Sequence, residues 1–126
     1  MISLESEPLI FFDVDDTILI WDDQCMQYDE TRIAIRDPYN DKIKAYYYLI
    51  PHKKHIDILK DHAQKGYSIV VWSSGGALWA KAAVEALGLT DVVTLTMAKP
   101  TKYCDDLPAN ETLTTNVFVK DLDDNS

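Results

Sequence analysis

Leu9-Ile10-Phe11-Phe12-Asp13-Val14-Asp15-Asp16-Thr17 runs from four apolar residues directly into three carboxylates. A short apolar run with aromatic and β-branched members suits a strand covered on both faces. The acids then stand at its carboxyl end, which is where ligands bind in open α/β sheets. That position is poor for solubility and good for chemistry. Acids after a strand also serve as turn formers and helix caps, because Asp accepts hydrogen bonds from nearby backbone amides. A calcium loop starting at Asp13 fails its own requirements. Its sixth position should be Gly and its twelfth Glu, and the chain has Ile18 and Gln24 there.

The chain has 126 residues and is 47% apolar, which suits a single domain over 1–126 with one core. Net charge is -9 and the pI is near 4.6. Such a balance argues against a nucleic-acid surface, since phosphate backbones are held by clustered Lys and Arg. Here the 12 basic residues are scattered. The N-terminus has neither a basic region nor a long apolar core, and no stretch approaches the ~20 apolar residues of a membrane helix. A cytoplasmic protein without membrane contact is expected. Cys25 and Cys104 form neither a CxxC pair nor a zinc pattern, so reduced thiols are expected.

Beyond the first strand, residues 21–51 form a polar, tyrosine-rich insertion. Thr31–Arg36 alternates in part, Asp37-Pro38-Tyr39-Asn40-Asp41 has turn chemistry, and Ile43–Leu49 is strand-like, so a β-hairpin flap is expected, with a short helix and loop as the alternative. Pro51 closes it. His55–Lys65 is an amphipathic helix with Ile56, Leu59 and Ala63 on one face and Gly66 as its stop. Tyr67–Trp72 is the second core strand and leads into Ser73-Ser74-Gly75-Gly76. A helix over Ala77–Leu87 follows, with Leu78, Ala82 and Leu87 as core contacts and Gly88 as its stop. Val92–Leu95 and Asn116–Val119 complete the strands. Their alternation with helices gives an α/β fold: a mostly parallel sheet of about four strands with right-handed crossovers, Rossmann-like and three-layered, plus the small flap.

The expected strand ends carry, in order, Asp13 and Asp15, then Ser73, Lys99 and Asp121. This layout resembles the haloacid dehalogenase superfamily of phosphatases and phosphotransferases. Its four motifs are Asp-x-Asp-x-Thr/Val, a Ser or Thr after the second strand, a Lys, and one or two acids after the fourth strand. The matches follow sequence order from about Leu9 to Asp124. A phosphomonoester is a dianion, so a carboxylate can attack it only where positive charge screens the approach. The resemblance implies magnesium, held by Asp13, Asp15 through its backbone carbonyl, and Asp121. It makes Asp13 the nucleophile and Asp15 the acid that protonates the leaving oxygen and then the base that activates water. Lys99 would offset charge on Asp13 and the phosphoryl group. Thr17, Ser73, Ser74 and Gly75 would bind substrate.

Each position has a plainer alternative. Ser73 is also a turn residue, with Ser74 able to take its role. Lys99 competes with Lys102, and Asp121 sits in an acidic tail with Asp123 and Asp124, either of which could be the motif's second acid. Tyr46, Tyr47 and Tyr48 are expected to pack, and His52, His55 and His62 to be surface or packed histidines. Lys120 stands where the family usually has a small residue, and the chain ends five residues after Asp121. An exposed sheet edge there invites truncation, a homo-oligomer or a partner chain. About 25 residues separate Ser73 from Lys99, too few for a large cap. The expected activity is magnesium-dependent hydrolysis of a phosphorylated small molecule or macromolecule through an aspartyl phosphate. The alternative is a catalytically idle domain that uses its tyrosine-rich flap to bind protein.

Overall fold

The computed structural model describes residues 7–22, 31–40, 42 and 45–113. Strand β1 (Leu9–Asp13) pairs in parallel with β5 (Ser68–Ser73), which pairs in parallel with β6 (Leu95–Ala98). Between β1 and β5 the chain makes β2 (Leu19–Trp21), β3 (Ile33–Arg36), β4 (Tyr46–Pro51) and helix α1 (Lys53–Gln64). Helix α2 (Ala77–Ala86) joins β5 to β6, and the short α3 (Ala109–Thr112) follows. The parallel sheet has order β1-β5-β6 and the separate antiparallel sheet has order β2-β4-β3. The chain is therefore mixed α/β, with three strands in its parallel sheet among the described residues. The expected fourth strand, Asn116–Val119, lies outside them.

Both crossovers step the same way across the parallel sheet, so right-handed connections put α1 and α2 on one face. Phe12, Ile69 and Val71 of that face pack with Leu59 of α1 and with Trp79, Ala80, Ala83 and Val84 of α2 in one buried cluster. Leu59 is fully buried; trimming it to Ala would cost about 2–5 kcal/mol. The antiparallel sheet joins the same cluster through Leu19, Ile35 and Leu49. Along β4 Leu49 is fully buried, Tyr47 stands edge-on to Trp21 and Trp79 while still 38% exposed, and Tyr46 and Tyr48 lie on the other face, 50% and 44% exposed. The expected hairpin is thus present as β3 and β4, with β2 added at its other side.

Several boundaries differ from the sequence reading for local reasons. Helix α1 starts at Lys53, earlier than His55, because the His52 ring accepts the backbone N–H of His55 and caps it. Pro51 ends β4 instead of following it; its missing N–H costs nothing at a strand terminus. The third parallel strand is Leu95–Ala98 and not Val92–Leu95, since Val92 and Val93 bond back to the Leu89 carbonyl and extend the turn after α2. In α2 the buried stripe is Trp79, Ala80, Ala83 and Val84, whereas Leu78, expected in the core, is 50% exposed. Ala82 and Leu87 lie at the edge of the core. Lys81 and Glu85, at i+3 and i+7 from Leu78, turn that side of α2 to solvent, and Trp79 fills the core side. Among the described residues no helix is long and apolar enough to cross a membrane. Cys104 is exposed and carries a free thiol.

Candidate functional site

Parallel pairing brings three strand ends together. Asp13 is in register with Trp72 of β5, and Ser73 is in register with Ala98 of β6. The backbone N–H of Lys99 donates to the Ser73 carbonyl at 2.9 Å, continuing the ladder by one residue past β6. From there the Lys99 ammonium reaches back across β5. Its Nζ lies 3.1 Å from Asp13 Oδ1 and 6.0 Å from the centre of the Trp72 ring. Lys99 and not Lys102 makes this contact, because only Lys99 follows the strand directly.

The other oxygen of Asp13 is held by its own turn. Past β1 the chain folds back: the Thr17 and Leu19 N–H groups both donate to the Val14 carbonyl, at 3.2 and 3.1 Å. Asp16 takes a positive φ of 60° within it, a conformation Asp tolerates better than most residues. This places the Thr17 hydroxyl 3.1 Å from Asp13 Oδ2. Asp13 therefore has a cation on one oxygen and a hydroxyl donor on the other, and stays partly open to solvent.

Asp15, two residues on, is turned to a different set of partners. Its Oδ2 accepts from the Ser73 hydroxyl at 2.9 Å, and its Oδ1 accepts the indole N–H of Trp21 at 2.9 Å and of Trp79 at 3.0 Å. Ser73 is fully buried and also accepts from the Gly75 N–H at 2.9 Å. Its hydroxyl thus serves Asp15 and the loop, while Ser74 and Gly75 are the exposed part of that loop. Gly75 has to be glycine on space alone. An added Cβ would sit 2.9 Å from Trp79 Cδ1 and 3.2 Å from Ser73 Oγ.

Thr17 and Lys99 thus contact Asp13, Ser73 contacts Asp15, and Gly75 is tied to Ser73, with Ser74 between them in the loop. Asp121, expected to complete a metal site, lies outside the described residues. Among those described there is no group of three or more His, Cys, Asp or Glu suited to a metal. Sequence reasoning missed Trp21 and Trp79, while His52 and His55, expected as surface or packed histidines, are packed behind the turn. His55 Nδ1 lies 2.6 Å from the Thr17 carbonyl, and its ring stacks on His52 with centroids 3.5 Å apart. Nothing in the sequence separates these tryptophans from ordinary core residues; only the fold brings β2 and α2 to one carboxylate. The chain matches no protein-family model, no curated protein and no solved structure.

Proposed function

We propose that the protein is a magnesium-dependent phosphomonoester hydrolase of the haloacid dehalogenase type, working through an aspartyl phosphate on Asp13. The observation that carries this reading is the environment of Asp13, with Lys99 reaching from the end of β6 across β5 to one oxygen and Thr17, in the turn after β1, on the other. In this reading the Asp13 oxygen attacks phosphorus, its new O–P bond forming as the bond to the leaving oxygen breaks. Lys99 and the amide of Ser74 offset the equatorial oxygens' charge, while the Gly75 N–H stays on the Ser73 hydroxyl and shapes the loop. Asp15 gives its proton to the leaving oxygen, then takes one from the water that hydrolyses the aspartyl phosphate.

The donor set around Asp13 and Asp15 is all oxygen, which fits magnesium in kind, since that ion is commonly held by one or two carboxylates together with water. Asp13, the Asp15 backbone carbonyl and Asp121 would hold it. When bound it supplies charge neutralisation at the phosphoryl group. A Rossmann-like sheet would be completed by Asn116–Val119 beside β1, whose outer edge is unpaired among the described residues; that strand is part of the proposal.

Hydrolysis of p-nitrophenyl phosphate with magnesium or with chelator, wild type beside Asp13→Asn, tests the reading. Activity that needs both the metal and Asp13 is the expected result. Activity retained by Asp13→Asn removes the nucleophile assignment. A second reading, an idle domain that binds protein, is favoured by the exposed Tyr46 and Tyr48 on the flap's outer face. Covalent trapping of Asp13 by beryllofluoride separates the two, because an idle domain gives no aspartyl adduct.

A further inference from the structure

Trp21 and Trp79 come from β2 and α2, 58 positions apart in the chain, yet both donate to the same oxygen of Asp15. Their rings are stacked, with centroids 5.7 Å apart and planes 18° from parallel. Tyr47 stands edge-on to both, at 5.3 and 5.8 Å. The three rings brace one another, so the two N–H groups are fixed in direction. An indole N–H donates and cannot accept, whereas a hydroxyl does either. Oδ1 of Asp15 is therefore occupied as an acceptor by two donors, whereas Oδ2 accepts from the Ser73 hydroxyl alone and keeps a second position for a carboxyl hydrogen.

We infer that Trp21 and Trp79 are positioning residues that dictate which oxygen of Asp15 exchanges its proton with the leaving group. The inference rests on the reading of Asp15 as the acid and base of the reaction. In the first step the phosphorus–leaving oxygen bond breaks as the Asp13–phosphorus bond forms. The leaving oxygen's electron pair takes the hydrogen from Oδ2, and Asp15 is left as a carboxylate. In the second step Oδ2 takes a proton from the attacking water, which restores it. A carboxyl free to rotate would spend part of its time offering the wrong oxygen.

Losing the clamp should therefore matter in proportion to how much the leaving group needs a proton. A p-nitrophenolate leaves without help, and an alkoxide does not. Trp21→Phe and Trp79→Phe are expected to lower kcat on β-glycerophosphate by about 10²-fold, the scale of a small misplacement of a reacting group. The loss on p-nitrophenyl phosphate should be at least about tenfold smaller, and neither substitution should add to the loss already produced by Asp15→Asn. Trp79 is buried, so its Phe variant could lose packing; replacing either tryptophan by benzothienylalanine keeps the ring shape and deletes only the N–H. Selective loss with that analogue supports the inference. Equal losses on both esters, or full activity with the analogue, overturn it. Wild-type protein that hydrolyses neither ester with magnesium overturns the hydrolase reading and the inference together. Asp13-dependent hydrolysis without ester selectivity in the tryptophan variants overturns the inference alone.

Discussion

The ring nitrogen Nδ1 of His55 lies 2.6 Å from the carbonyl oxygen of Thr17, joining the first turn of α1 to the turn that carries Asp13. A carbonyl only accepts, so Nδ1 carries the hydrogen. His52 donates its backbone N–H to Ile18 at 2.9 Å, so the stacked pair grips the turn at consecutive carbonyls. His55→Leu leaves the Thr17 carbonyl without this donor in a largely buried place. A loss of about 1–3 kcal/mol is expected, read as a lower urea midpoint at unchanged m. His55→Asn, whose side-chain amide can reach the position of Nδ1, should recover part of it. Equal losses in the two variants would show that ring packing, not the hydrogen bond, holds the turn.

Lys99 is placed by backbone geometry and acts through its ammonium. Lys99→Met keeps much of the aliphatic stem over Trp72 and removes the charge beside Asp13. If the hydrolase reading holds, kcat should fall by about 10²–10³-fold, as when one electrostatic contact to the transition state is deleted. The urea midpoint should change little, because the pair is only partly buried. A fall in kcat that follows a fall in stability would instead make Lys99 a structural residue.

Gly76 begins α2 with φ 101° and ψ 169°, a region of backbone space that is essentially restricted to glycine. An added Cβ would also run into the hydroxyl of Tyr39, which approaches from the turn between β3 and β4. That second obstacle is soft, since Tyr39 is 54% exposed and can swing away. Gly76→Ala should cost about 1–3 kcal/mol, and adding Tyr39→Phe should not restore it. Rescue by Tyr39→Phe would mean that the contact, and not the backbone, dominates.

How legible the chain was depends on which interactions are local. The strand of Leu9–Asp13, the hairpin, both principal helices and the order of Asp13, Ser73 and Lys99 follow from apolar runs, turn residues and stops that a reader can see in sequence. Lys99 is singled out by its place in the motif order, with its strand expected at Val92–Leu95; the strand is Leu95–Ala98, and backbone pairing directly before Lys99 fixes its reach. Leu78 was assigned to the core from its own hydrophobicity, although Lys81 and Glu85, three and seven positions on, mark its side of the helix as the exposed one. Trp21 and Trp79 were not legible because their role is a convergence of β2 and α2 on Asp15, and neither partner carries a mark of the other. The role of Ser73 was read as contact with a ligand, whereas its hydroxyl is turned to Asp15.

Asp61 and Lys65 on the exposed side of α1 form a pair at 2.8 Å. The hydrogen bond from Lys65, with its charge, holds the Asp61 carboxyl below its ordinary range, and the same bond and charge hold Lys65 above its own. For Asp61 the stabilisation is present above the unfolded carboxyl's pKa and is lost as pH falls through the folded value. For Lys65 it is present below the unfolded ammonium's pKa and is lost as pH rises through the folded value. Between these limits the pair contributes a flat term; the charge of the neighbouring His62 also acts on Asp61, so the comparison belongs above the imidazole range, where Asp61→Asn should lower stability by the same small amount at about pH 8 and about pH 9. A difference in urea midpoint between wild type and variant that changes across that interval would contradict it.

Asp15 offers the sharpest separation of structure from chemistry, because its partners are donors of different kinds. Asp15→Asn can keep its carbonyl oxygen toward the two indoles and turn its amide toward Ser73, whose hydroxyl oxygen is able to accept. The fold should survive this change. If Asp15 is the acid and base, activity should still fall by about 10²-fold or more. Asp15→Ala is different: it strands two indole N–H groups and a buried hydroxyl together. Each abandoned donor costs on the order of 1–3 kcal/mol, and neighbours do not add simply, so a total loss of about 3 kcal/mol or more is expected. The check is a pair of denaturation curves. Asn near wild type and Ala far below it is the pattern the geometry requires, and an Ala variant as stable as Asn would mean that the indoles find water in place of the carboxylate.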